Sequence, residues 1–157
     1  MNGARTLLAT ATAAAVVASG AGSVTAAGGV AFREIDHGTR PGSGEREALR
    51  GRVLRGEAGA SRVLRGWKLP GAVAAAKQVD YQRRSLVVAL DASRPSTGYR
   101  LRVVRVDVRN RRVIVTATVR RSGGIDGQAL SRPYALVSVA RGSLARATRG
   151  VVVRLRG

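Results

Sequence analysis

The sequence has no cysteine, one histidine (His37), one tryptophan (Trp67) and one phenylalanine (Phe32) among 157 residues. Without cysteine there is no disulfide framework, no thiolate zinc site, no thiol nucleophile and no lipid-carrying N-terminal Cys. A single histidine excludes a poly-His metal site, and His37 is the lone imidazole that could serve as a base. Aromatic residues are 3% of the chain, too sparse to interleave a basic groove with base-stacking platforms. Lysine is nearly missing as well: Lys68 and Lys77 stand beside 26 arginines. Acidic residues number nine against 28 basic ones, a formal charge of +19.

Such a charge invites a nucleic-acid reading, because Arg and Lys neutralise phosphates and release counterions. The arginines, however, are spread along the chain, and an Arg-heavy bias in an Ala-, Gly- and Val-rich sequence fits codon usage as well as phosphate recognition. A solvated basic surface is the plainer reading, with weak, salt-sensitive attraction to acidic surface polymers beside it. No specific nucleic acid is expected as a partner.

The first 27 residues read as a secretory signal. Arg5 supplies the positive n-region, and Leu7–Ala18 is an uncharged, largely apolar h-region. Val24-Thr25-Ala26 or Thr25-Ala26-Ala27 provides the small residues for cleavage. A stretch of that length falls short of the ~20 apolar residues that span a bilayer. The expected location is secreted or envelope-associated, with no transmembrane segment after cleavage.

The remainder divides unequally. Leu, Ile, Val and Phe make up 11 of 58 residues in Ala27–Arg84 and 23 of 73 in Ser85–Gly157. Residues 28–84 therefore read as a strand, loops and a short helix that dock on a β-rich core at 85–157. Ala31–Asp36 alternates as a strand, and His37-Gly38 opens a Gly/Pro/Ser-rich loop. Glu57–Trp67 reads as one short helix, although Gly59 and Gly66 are poor helix formers. Lys68–Gln78 reads as a connector. Arg-Val-Leu-Arg-Gly occurs twice, at 52–56 and 62–66, too close together for a solenoid repeat.

In the second half, Ser85–Asp91, Tyr99–Val108, Arg112–Arg120, Tyr134–Ala140 and Val151–Leu155 read as strands. The apolar face of Tyr99–Val108 switches at Val103-Val104, which calls for a bulge or a strand passing between layers. Arg109-Asn110-Arg111 is a tight turn closing a hairpin. The expected fold is mainly β, an antiparallel sandwich or barrel-like domain with at most one short helix.

An ordered series of motifs carries a family resemblance. Val79-Asp80-Tyr81, an apolar strand, Arg94-Pro95-Ser96-Thr97-Gly98-Tyr99, a hairpin, and Ser131-Arg132-Pro133-Tyr134-Ala135-Leu136-Val137 follow one another. The series resembles the C-terminal domain of the PrcB family, whose loop reads Thr-Gly-Gly-Tyr where this chain has Ser-Thr-Gly-Tyr. The family takes its name from accessory subunits of exported protease complexes. The resemblance thus implies a non-catalytic, protease-associated or envelope-associated binding domain with a protein partner; no cofactor and no metal are expected. A fainter likeness links Pro95–Tyr99, the Gly123-Gly124 loop and Arg132-Pro133-Tyr134 to the three-loop layout of chagasin-type protease inhibitors.

Each loop has two readings. Arg94, Pro95, Ser96, Thr97, Gly98 and Tyr99 form either a recognition loop, stiffened by Pro95 and presenting Tyr99, or a structural turn with Tyr99 as a strand-end plug. Gly123, Gly124, Arg132, Pro133 and Tyr134 complete the candidate contact set, while proline at a strand start is also what sheet geometry tolerates. Trp67 reads as a core or lid residue. For catalysis the chain offers little: no G-x-S-x-G elbow, and scattered acids of which only Asp91 and Asp126 could meet as a glycosidase-like pair. Solvated loop acids beside abundant Arg are the plainer account of these, and the chain is read as a non-enzyme.

Overall fold

A computed structural model describes residues 29–43, 47–121 and 127–157. The expected signal segment, residues 1–27, and the Gly123-Gly124 loop lie outside the described residues. Seven strands among the described residues fall into two sheets. They are β1 (Phe32–Pro41), β2 (Arg50–Leu54), β3 (Arg84–Leu90), β4 (Tyr99–Arg109), β5 (Arg112–Arg121), β6 (Ser131–Ala140) and β7 (Val151–Leu155). Two helices, α1 (Glu57–Gly66) and α2 (Pro70–Ala76), lie between β2 and β3, and a 3-10 turn, Arg141–Leu144, follows β6.

The four-stranded sheet has the order β1-β6-β3-β2, and all its pairings are antiparallel. Its central strands are covered on both faces, which explains their near-continuous apolar sequences. Val87, Ala89, Ala135, Val137 and Val139 point into the space between the sheets. Leu86, Val88, Leu90, Tyr134 and Leu136 point the other way, into a second core with Ala60, Leu64, Leu69, Ala72 and Ala76 of the helical segment. The molecule is therefore layered: helices, four-stranded sheet, three-stranded sheet.

The three-stranded sheet, β4-β5-β7, departs from an all-antiparallel plan because β7 runs parallel to β5. Neither sheet closes into a barrel, so the fold is an open, two-sheet sandwich. The switch of apolar face in β4 is a bulge between Val103 and Arg105. It returns Leu101, Val103, Val106 and Val108 to one core. Asn110 and Arg111, with φ of 50° and 63°, close the β4–β5 hairpin, the sign at both positions that a right-twisted two-residue loop requires.

Three expectations need correction. The described residues hold two helices: the connector at Lys68–Gln78 contains α2, started by Pro70 at its first turn and continued by alanines. The loop placed at His37-Gly38 is strand, because β1 continues along β6 as far as Pro41. A strand, β2, occupies Arg50–Leu54 on the free side of β3.

Candidate functional site

The candidate loop leaves the end of β3 and enters β4, and β6 begins beside it. Arg94 makes a two-way backbone bridge with Ser131, its N–H donating at 2.7 Å and its carbonyl accepting at 2.9 Å. The Ser131 hydroxyl donates to the Ser96 carbonyl, and the Ser96 hydroxyl accepts the Gly98 N–H at 3.1 Å. Thr97 and Gly127 are tied three times: the Thr97 N–H and hydroxyl both donate to the Gly127 carbonyl, and the Gly127 N–H donates to Thr97 Oγ1 at 3.0 Å. The loop is thus cross-tied at 94, 96 and 97.

Proline 133 explains the polar cluster beneath. The Asp91 N–H donates to the Pro133 carbonyl at 2.9 Å. In an antiparallel pair the reciprocal bond would run from residue 133 to the Asp91 carbonyl, but proline has no N–H. Arg132 Nε takes that place, donating to the Asp91 carbonyl at 2.8 Å. The rest of its guanidinium reaches Glu47 Oε1 at 3.0 Å and the Ala48 carbonyl at 2.8 Å. The Arg132 side chain has no solvent exposure, yet every nitrogen of its fork has an acceptor.

Glu47 gathers this cluster. Its Oε1 also accepts from Arg40 at 3.0 Å, and its Oε2 accepts the Ser93 hydroxyl at 2.6 Å. Burial by itself would push the Glu47 carboxyl up. The Ser93 hydroxyl, Arg132, the Ser43 backbone and Arg40 outweigh it and hold the group at about 2. For Arg132, burial pulls the guanidinium down and the charge of Glu47 opposes it. Asp91, fully buried, accepts the Ala92 N–H at 2.7 Å and Arg94 Nε at 2.7 Å. Sequence reasoning missed Glu47 and Arg40. The signal available was Pro133 itself, which leaves a carbonyl that some other donor must satisfy.

The candidate residues now separate. Pro95 and Thr97 are exposed, Arg94 and Tyr99 are half-buried, and the Arg94 guanidinium stands 5.9 Å from the Tyr99 ring centroid. Ser96 and Gly98 are buried. Arg132, Pro133 and Tyr134, expected at a contact surface, are all buried. Tyr134 faces the helices instead: its hydroxyl donates to Asp36 Oδ2 at 2.8 Å, and burial with that bond raises its pKa. Gly38 and Gly71 make room for its ring and hydroxyl, since a Cβ at either would stand 3.1 Å from the Tyr134 oxygen. The exposed surface is completed by Gly127–Leu130, where Leu130 is 45% exposed.

These pieces follow one another along the chain as strand, cross-tied loop, hairpin and proline-led strand, and a family comparison matches the same stretch. Residues 86–140 match the PrcB C-terminal family. The match spans just over a third of the chain, from β3 through β6, and includes the candidate loop. No curated protein and no solved structure gives a significant match. The PrcB-like segment is the sheet centre plus the β4–β5 hairpin, while β1, β2, both helices and β7 lie outside it. The fainter chagasin-like layout needs Arg132-Pro133-Tyr134 as an outward loop, and the burial of these three removes that support.

Proposed function

We propose that the chain is an exported, non-catalytic accessory protein of a protease complex at the cell envelope. It meets its protein partner through Pro95, Thr97, Tyr99 and Leu130. The observation that carries this reading is the contrast between the two sides of the loop. Beneath it, buried bonds from Ser131, Ser96, Arg132 and Asp91 fix the backbone; above it stand a proline, a threonine, an aromatic and an exposed leucine. A surface ordered in advance loses less entropy on binding. Export rests on the signal pattern of residues 1–27, and the accessory role on the PrcB match.

The test is capture from the secreted and envelope fractions with the wild type, Tyr99→Ala and Leu130→Asp. Wild type should retain a protease-containing complex that both variants lose. Equal capture by all three proteins overturns the loop as the contact surface.

A second reading has its own observation. The outer face of the three-stranded sheet carries Arg100 opposite Arg120, Arg102 opposite Thr118 and Arg154 beside Thr116, all of these arginines exposed. A polyanion of the cell surface suits that grid. Binding to it would collapse between ~50 and 200 mM salt, and salt-insensitive binding would exclude it.

A further inference from the structure

The strand β2 is an edge. It bonds to β3 on one side, and among the described residues its backbone makes no hydrogen bond on the other. An edge strand presents a row of N–H and C=O groups that a further strand can pair with. Among the described residues no strand pairs with its free side, and β7 packs across its face: Gly51 takes Val151 and Val153 against its missing side chain, at 2.6 and 2.7 Å from where a Cβ would stand. Because these two valines meet Gly51 on the core side, β7 lies beneath β2 and its edge stays open.

A cleft of about 610 Å³ runs along this edge, lined by Leu49, Arg50, Arg52, Arg55, Trp67 and Gly150 among others. Among the described residues, no acidic one lines it. Arg50 and Arg52 are exposed and two residues apart, so they share one face of the strand at ~7 Å spacing. Arg55 is held in place by the Leu144 and Ala147 carbonyls, at 3.1 and 2.7 Å. Trp67 and the 36%-exposed Leu49 add apolar surface.

We propose that β2 is the acceptor edge for an extended acidic segment of a partner protein, which adds as a fifth strand to the four-stranded sheet. Main-chain bonds to β2 supply affinity, and acidic side chains at alternate positions meet Arg50 and Arg52. The intervening apolar side chains of the same segment point to the opposite face, toward Val53 and Val151 on the core side of the cleft. A second copy of this chain is a poor occupant, because β2 against β2 sets arginine against arginine. The inference is independent of the loop at Pro95–Tyr99 and stands or falls separately.

Trp67 is the only tryptophan, so its fluorescence reports the cleft. The probe is a capped eight-residue peptide alternating Glu and Val, titrated into the protein at low salt. It should change Trp67 emission saturably. Arg50→Glu/Arg52→Glu should weaken binding at least tenfold, while Arg109→Glu/Arg112→Glu, an equal charge change at the exposed β4–β5 hairpin, should leave it within twofold. A peptide N-methylated at alternate residues should fail to bind. Equal weakening by both double variants reduces the effect to net charge and overturns the proposal. So does undiminished binding of the N-methylated peptide, or no saturable change at all.

Discussion

Arg132 shows how one missing hydrogen organises its surroundings. Proline at 133 removes a donor from the ladder, and the neighbouring guanidinium supplies a substitute from a side chain. Replacing it leaves the Asp91 and Ala48 carbonyls without that donor and Glu47 without its buried counter-charge. Arg132→Met should therefore destabilise the protein by about 3 kcal/mol in urea unfolding, the lower end for one broken partner of a buried pair. Arg132→Lys should not restore the loss, because an ammonium on a flexible stem does not reproduce the planar fork. Glu47 gives the cluster a pH signature. Its carboxyl is lowered from 4.5 to about 2 on folding, so its contribution is fully present above 4.5 and is lost as pH falls towards 2. Thermal melts of wild type and Glu47→Gln should converge over that interval and stay apart above it. Beyond the donor that Pro133 lacks, none of this was legible in sequence. An arginine is ordinarily a solvent residue, and the acceptors of Arg132 come from positions 47, 48 and 91, far away in the chain.

At the scale of elements, the twin Arg-Val-Leu-Arg-Gly segments show where local reading stops. The first copy supplies the end of β2, with Leu54 in the helix-side core; the second lies within α1, with Leu64 in the same core. The pentapeptide does not choose between the two conformations. The first is held by the edge of β3, and the second continues a helix that already places Ala60 and Leu64 on one face. This is why β2 was not legible, whereas the face switch in β4, a purely periodic signal, called for a bulge or a passage between layers, and the bulge is what forms. The helix also ends unusually. Lys68, with φ of 55°, takes the left-handed position after α1. Its N–H reaches the Arg65 carbonyl at 2.9 Å, and the Leu69 N–H reaches the Leu64 carbonyl at 3.0 Å. Those two bonds, with Leu64 and Leu69 both buried, make the cap that glycine usually fills. Lys68→Gly should raise stability by about 1 kcal/mol, and a lowered melting temperature would refute the strain assigned there.

For the whole molecule, the family match and the folded unit are not the same thing. Residues 86–140 carry the centre of the four-stranded sheet and the hairpin β4–β5, but both cores are completed from outside. Phe32 and the C-terminal Val151 and Val153 close one core; Leu54, Ala60, Leu64 and Leu69 close the other. A fragment of residues 86–140 should consequently fail to melt cooperatively and should aggregate through its uncovered strands, while residues 29–157 give a single transition. A cooperative melt of the short fragment would contradict the shared cores. With no cysteine to staple it, the layering depends on apolar contacts between residues distant in sequence.

The pairing of β1 with β6 sets a timetable. Phe32 sits opposite Val139, so the first strand of the sandwich has no partner until nearly all of the chain is available. Long-range pairings of this kind slow folding, because a large loop must close before any contact rewards it. As the chain emerges from the ribosome, β1 is among the earliest strands to appear and among the last to be covered. In that interval its charged residues, Arg33, Glu34, Asp36 and Arg40, are what keep an unpaired edge from meeting the wrong one.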